Sequence, residues 1–416
     1  MATKPYGPTD NRYPLEVYTD EVVAENGMGL TQVNLDVSGG LRVTQASPLV
    51  AGEFHYAINP RFFTVTTANG GSAAGGVSGM ASLQSGTNPA GSAIVSSKQA
   101  ARYLGGTGIY GSWTAVYDTP QANSRQFVGI GDADDGFFFG YNGTQFCIRH
   151  RNAGVDTFIN QADWSVDPLD GSGPSGITLD PLTGNVFRVQ FLWHGFGPIL
   201  FFVLADAVNY TLVHEILWAN ANLVPSLSNP TLPLRVSVVN SGNTTNLTLR
   251  TASMGIYNEG YDGAGVWPIV ASAGSFGNAK TSIVAETSIL TIRNKASNVL
   301  GGTNTNKVRV KIPRVSLVAA AGATLFRLLL NATLGGSPSY SDWSTNESVI
   351  ETDVSGTTTS GTPAGNERFR YFDPGGTGTP QSFDLSQMNI ILNPGDSLTL
   401  AASGSTVNPN VSVQWQ

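Results

Sequence analysis

Hydrophobic and polar positions alternate with period two along most of the chain, most clearly over residues 185–257. Residues 186–193 place Phe187, Val189, Phe191 and Trp193 on one face and Arg188 and Gln190 on the other. Gly195-Phe196-Gly197-Pro198 then turns the chain into residues 199–205, seven apolar positions that predict a strand covered on both faces. Residues 210–218 alternate again, Leu234, Val236 and Val238 line a fourth strand, and Ser241-Gly242-Asn243 turns into Leu247 and Leu249. Short period-two runs divided by turn residues predict antiparallel β-structure, and no helix-period pattern of comparable length interrupts them.

The same pattern predicts strands at 62–67, 112–117, 125–130, 136–141 and 144–150, with Asn142-Gly143 as a two-residue hairpin turn; 94–103 fits a strand or a short helix, and its all-β neighbours favour the strand. Residues 70–91, rich in Gly, Ser and Ala, read as a mobile loop or a thinly packed ribbon. Roughly a dozen strands in one domain imply two packed sheets, because one open sheet of that size leaves a bare face. The expected fold is all-β: two β-sandwiches in tandem behind an extended N-terminal arm. The arm is 1–50, broken by Pro5, Gly7, Pro8 and Pro14, with short runs at 15–23, 33–37 and 41–43. The larger sandwich, lectin-like or jelly-roll, is 51–262; a Gly/Ala/Ser-rich connection is 263–280. The second sandwich, 281–416, has strands at 288–293, 307–312, 325–330, 349–353, 368–372, 388–392, 397–401 and 411–415 and a turn at Asn393-Pro394-Gly395-Asp396.

Composition narrows the function classes. Of 416 residues 41% are hydrophobic, enough for real cores, but only 12% are charged, about half the usual share of roughly 25%. Ser, Thr and Asn cover the surface instead, as in turn-rich secreted or virion proteins. A net charge of −7 argues against general attraction to nucleic acid or anionic membrane. Arg149-His150-Arg151 and the 307–311 run are local basic patches, the second read as a solvated strand face with Val308, Val310 and Ile312 turned inward. The single cysteine, Cys147, excludes an intramolecular disulfide and reads as a buried thiol. The N-terminus has no apolar signal-peptide core, and no run of about 18 apolar residues predicts a membrane-spanning helix.

Candidate chemistry is sparse. Gly106-Thr107-Gly108-Ile109-Tyr110-Gly111 matches a dinucleotide fingerprint in letters, yet a strand pattern follows where a helix is needed. Asp132, Asp134 and Asp135 form an oxygen-rich loop that offers a candidate Ca²⁺ site, with a solvated hairpin turn as the plain alternative. His55, His150, His194 and His214 lack metal-ligand spacing and read as structural. Trp164 and Trp343 lie in polar stretches and are the candidates for an aromatic platform that stacks on sugar rings; the alternative is that they pin loops. No Gly-x-Ser-x-Gly elbow occurs, and no catalytic residue or cofactor is assigned.

Three stretches carry a resemblance: the aromatic strand and turn Gly136-Phe137-Phe138-Phe139-Gly140-Tyr141-Asn142-Gly143-Thr144, the turn Asn240-Ser241-Gly242-Asn243-Thr244-Thr245, and Leu392-Asn393-Pro394-Gly395-Asp396-Ser397-Leu398-Thr399-Leu400. In composition and architecture the chain resembles the β-rich virion structural proteins of tailed bacteriophages, of a kind also seen in some large DNA viruses. The resemblance implies a non-enzymatic role in building or decorating a particle, as a capsid-surface, fibre or tail component assembled in the host cell. Partners would be other virion proteins and copies of itself. The alternative is a carbohydrate-binding adhesin module that meets a host-surface glycan; a glycan-cleaving enzyme of lectin-like fold comes third and needs two carboxylates about 5–10 Å apart.

Low charge density lets copies meet at little ionic desolvation cost, and repeated copies are usually arranged by symmetry. Light scattering across concentrations should therefore report an oligomer, a trimer being the first expectation. A strictly monomeric mass at high concentration would exclude free-standing assembly.

Overall fold

The computed structural model describes residues 46–103, 105–206, 208–259, 271–275, 280–297, 306–319, 322–344, 348–357, 359–360, 366–375, 378–388 and 390–416. The arm through residue 45 and part of the 263–280 connection, Trp267-Pro268 included, lie outside the described residues. The chain divides into two compact units, one drawn from residues 1–262 and the other from 263–416, with residues 59–64 and 97–100 grouped with the second. Both are all-β sandwiches.

In the first unit the strands are β1 (Ser47–Glu53), β2 (Phe63–Ala68), β3 (Ser72–Val77), β4 (Met80–Gln84), β5 (Ser92–Ala101), β6 (Ile109–Ala115), β7 (Ser124–Gly131) and β8 (Gly136–Asn142). There follow β9 (Gln145–Asn152), β10 (Val155–Asn160), β11 (Asn185–Phe191), β12 (Ile199–Val203), β13 (Thr211–Ile216), β14 (Leu232–Asn240), β15 (Thr248–Thr251) and β16 (Ser253–Asn258). A six-stranded sheet runs β1-β16-β6-β11-β12-β13, and a seven-stranded sheet runs β10-β9-β8-β7-β14-β5-β2. The end of the expected arm is thus an edge strand: β1 pairs with β16.

Aromatic side chains fill the space between the two sheets. Phe137 and Phe139 of β8 are fully buried and meet Phe191 at 5.2 Å and Phe187 at 4.8 Å between ring centroids. Phe201 and Trp113 close on the same pair. Alternate residues of β6, β11 and β12 face this core, so their neighbours stand on the opposite face of the sheet. Gln126 is fully buried, yet its amide is satisfied by the backbone of Asp118, whose N–H it accepts at 2.8 Å and whose carbonyl it bonds at 3.0 Å.

Several expectations change here. Residues 70–91 hold the β3–β4 hairpin, which joins β15 in a three-stranded sheet with Ala81 and Leu83 fully buried. The hairpin turn between β8 and β9 is Gly143-Thr144, one residue later than the spacing suggests, because Asn142 pairs with Gln145. Gly143, at φ +61°, takes the first central position, where a left-handed residue is required. β11 stops at Phe191: the Gly197 N–H bonds the Trp193 carbonyl at 2.8 Å and bends the chain, so Trp193 does not continue the core row. β12 is not covered equally on both faces: Ile199, Phe201 and Val203 are buried, whereas Leu200 and Phe202 are half-exposed.

The second unit pairs a four-stranded sheet, Ala271–Gly274, Pro409–Trp415, Arg314–Ala319 and Gln381–Asp384, with a six-stranded one built on Thr287–Asn294, Ser397–Gly404 and Thr324–Leu330. Ala271–Gly274 falls within the stretch read as a connection, and it pairs with Pro409–Trp415. Arg314–Ala319 was not expected as a strand, although Val315, Leu317 and Ala319 alternate inward. Of the 307–312 run only Val310–Lys311 is a strand; Val310 and Ile312 are buried, but Val308 is 50% exposed. Residues 388–392 yield only the short strand Ile391–Leu392 after a 3₁₀ turn. At the turn, the Asp396 N–H bonds the Asn393 carbonyl at 2.9 Å across Pro394 and Gly395.

Phe139 touches both sheets at the centre of the first core. Phe139→Ala should cost about 3–5 kcal/mol in a denaturant titration. Tyr257→Ala, on the opposite face of the other sheet, should shift the midpoint far less; equal shifts would mean that the assignment of faces is wrong.

Candidate functional site

The residues singled out in the sequence do not come together. Trp164 is only 5% exposed and packs edge-on against Phe139 at 5.7 Å and Phe146 at 6.1 Å, so it pins its loop to the core and offers no ring to a sugar. Trp343 is 41% exposed, but its Nε1 donates to the Ser272 carbonyl at 3.0 Å and its ring abuts Trp415. Asp132 Oδ1 accepts the N–H groups of Asp134 and Asp135, closing the turn. Asp135 is 1% exposed and turns inward, accepting from the Ser228 N–H at 2.7 Å and the Ser228 hydroxyl at 2.6 Å. With Asp135 committed to Ser228 and Asp132 to its own loop, the three carboxylates do not converge as a Ca²⁺ shell requires. Among the described residues no group of three or more His, Cys, Asp or Glu side chains is placed to hold a metal.

The basic patch is structural as well. Arg149 and Arg151 donate to Asp156 at 2.7 and 2.6 Å. Burial works against the Asp156 charge, but these two guanidinia outweigh it and hold the carboxyl below its usual range. Burial pushes the Cys147 thiol up to about 12, leaving it unreactive. Gly106–Gly111 runs directly into β6, so no helix N-terminus stands behind those glycines.

A candidate site lies on the outer face of the six-stranded sheet. Strand pairing aligns two rows across it. In the first row Tyr257 pairs with Tyr110, Tyr110 with Gln190, Gln190 with Leu200 and Leu200 with Glu215. In the second row Gly255, Ser112, Arg188, Phe202 and Leu212 follow in the same order. Most of these side chains are half-buried, unlike their fully covered neighbours on the core face. Tyr110 and Tyr257 stack with centroids 4.9 Å apart and planes at 18°. The Arg188 guanidinium lies over the Tyr110 ring at 4.8 Å and over the Tyr210 ring at 3.7 Å.

Tyr210 reaches the face from the β12–β13 connection. Asp206 fixes that turn by accepting the N–H groups of Val208 and Asn209, and the Tyr210 hydroxyl meets Ser112 Oγ at 3.0 Å. Gln190 donates from Nε2 to Glu259 Oε1 at 2.6 Å. The surface therefore offers flat aromatic area beside an amide, a carboxylate, hydroxyls and one guanidinium, a mixture suited to a polar ligand with apolar faces. β11 alternation placed Arg188 and Gln190 on a polar face; Tyr110, Tyr210, Tyr257, Ser112 and Glu259 were missed because they join only through the order β16-β6-β11 and one loop.

No family model matches the chain, and no curated protein matches it in sequence. Solved structures give distant likenesses. A glycosyl hydrolase family protein from Mycobacterium fortuitum is 12% identical, with 50% of this chain against 99% of that one and a TM-score of 0.35. The carbohydrate recognition domain of Emp47p is 11% identical over 53% of this chain and 99% of that one, at 0.33. A legume lectin-like domain from Entamoeba histolytica is 13% identical over 50% of this chain and 96% of that one, at 0.30. At such identities the likeness concerns fold alone.

Two histidines behind the site predict a pH dependence. His150 Nε2 donates to the Ser226 carbonyl at 2.6 Å, and His214 Nδ1 accepts the Ser165 N–H at 3.0 Å. Burial lowers both pKa values, so folding favours the neutral form of both rings. The unfolded chain binds more protons once pH falls below about 6.5, so stability is full above that value and declines beneath it. Melting curves from pH 7.5 to 5 should show this decline, and His150→Gln should flatten part of it; a melting temperature independent of pH in that window would contradict the neutral assignment.

Proposed function

We propose that the chain is a non-catalytic glycan-binding protein whose ligand lies across the outer face of the six-stranded sheet. The observation that carries this reading is the Tyr110–Tyr257 stack set in one cross-strand row with Gln190, beside Arg188 and Tyr210. Sugar rings present C–H faces that stack on aromatic rings and hydroxyls that bond amides, carboxylates and guanidinium groups.

The placement of carboxylates supports binding over cleavage. On the outer face the central strands β6, β11 and β12 carry Tyr110, Ser112, Thr114, Val186, Arg188, Gln190, Leu200 and Phe202, with no Asp or Glu among them. Glu259 is tied to Gln190 above β11, and Glu215 stands on β13, two strand spacings or about 10 Å away. A retaining pair needs about 5–5.5 Å, which this spacing exceeds, and an inverting pair about 6.5–9.5 Å, whose upper limit it only reaches. The setting proposed is the one the sequence resemblance implies: a particle-borne attachment or decoration protein present in several copies.

A glycan array probed with the purified protein should give binders, and Tyr257→Ala should weaken the best of them at least tenfold, or about 1.4 kcal/mol. Affinity untouched by that change, or no binder on the array, would defeat the reading.

A further inference from the structure

We propose that the glycan held by this face is acidic, with a carboxylate or sulfate group bound by Arg188; the inference rests on the glycan-binding reading above.

Several other arginines are ion-paired. Arg149 and Arg151 pair with Asp156, Arg293 with Glu351, and Arg327 with Glu286 and Glu367. Arg188 differs. Among the described residues no carboxylate lies within ion-pair distance of it, and its Nε is buried with no hydrogen-bond partner. It stands in the middle of the sheet, on β11, between Ser112 and Phe202 in its row.

A buried donor such as this Nε–H is costly to leave without an acceptor. The rings of Tyr110 and Tyr210 offset part of that cost through cation–π contact. Such contact engages the flat face of the guanidinium and leaves its in-plane N–H donors unused. The group that satisfies in-plane donors best is a planar or tetrahedral oxyanion, taken by two parallel N–H···O bonds. Nothing in the fold of the sheet demands a cation here, since the neighbouring outward residues of β11 are Val186 and Gln190. The protein carries a net charge of −7, so general attraction to anions is also absent and selectivity for an acidic sugar falls to this one group. Glu259 stands one row away, bonded to Gln190. That end of the face suits hydroxyls, so one acidic sugar next to neutral ones fits better than a run of charges.

The test measures the full chain against matched oligosaccharides, a neutral galactose oligomer, the corresponding galacturonic acid oligomer and a sulfated galactose oligomer, by calorimetry at low and moderate salt. Wild type should bind at least one acidic form ten or more times more tightly than the neutral one, and added salt should narrow the gap. Arg188→Gln should remove the preference and keep residual neutral binding; Arg188→Lys, which retains charge without the two-pronged geometry, should fall between. Melting temperature checks that the variants fold, and if neither does, the wild-type preference alone decides. Equal affinity for acidic and neutral forms, or a preference surviving in Arg188→Gln, overturns the inference. Equal binding of acidic and neutral forms, abolished by Tyr257→Ala, would overturn it while sparing the glycan reading, whereas failure to bind any of the oligomers or any array glycan would defeat both.

Discussion

The interlocking of aromatic rings between the two sheets of the first unit is the constraint on which its site depends. Phe137 and Phe139 reach from β8 into a surface made by Trp113, Phe187, Phe191 and Phe201. Because strands have period two, seating those rings also decides what stands on the other side: Tyr110, Ser112, Arg188, Gln190, Leu200 and Phe202. A slip of one residue in β11 would bury Arg188 and expose Phe187, so packing of the core fixes the register of the site. A β-bulge at Val213 adjusts the last strand. Phe201 pairs with His214 and Phe202 with Leu212, so Val213 and His214 are both buried while Glu215 returns to the outer row.

The seven-stranded sheet solves its outer face differently. Phe127 and Phe138 are buried there, joined by Cys147 and flanked by Phe158. They lie low because glycine faces them: a Cβ on Gly140 would meet Phe127 Cδ1 at 2.8 Å and the Gln126 carbonyl oxygen at 1.8 Å. Arg149 then covers both rings, its guanidinium 5.2 Å from each centroid, and Asp156 holds it in place. The two outer faces thus show two uses of one element. The arginine that a carboxylate anchors completes a surface; the arginine without one, Arg188, keeps its Nε–H without an acceptor.

Much of the fold was legible because burial and period agree locally. The strands around Phe187 and Val236 follow from alternation, as does the outward placement of Arg188, while those around Phe127 and Phe137 show as short apolar runs between turn residues. Other features were not. Trp164 has polar neighbours in sequence, but burial of a loop is decided by the sheet it folds onto, here through Phe139 and Phe146. Asp135 reads as solvated beside Asp132 and Asp134, yet Ser228, ninety-three positions away, supplies its hydrogen bonds. The β3–β4 hairpin was obscured because small residues carry little hydrophobic signal even where Ala81 is fully buried. Arg314–Ala319 alternates clearly enough, with Val315, Leu317 and Ala319 turned inward, but it lies directly after Pro313 and the equally alternating 307–312 run.

The site itself shows why one sequence gives only half of such a surface. Tyr110 and Tyr257 are far apart along the chain and meet because β6 lies beside β16, a pairing that no local pattern encodes. Tyr210 arrives from a loop whose shape depends on Asp206. What alternation can supply is the central strand, and β11 holds the decisive contrast: Phe187, Val189 and Phe191 inward, Arg188 and Gln190 outward. A polar strand face in a sandwich is ordinarily a solvated one, met by water and mobile side chains. This face instead has two tyrosine rings against the arginine, Tyr110 and Tyr210, with Tyr210 held by a hydroxyl contact to Ser112 and Tyr257 stacked on Tyr110. Rigid strands carry Tyr110, Tyr257, Arg188 and Gln190, so little conformational freedom would be lost if the proposed ligand settled on them.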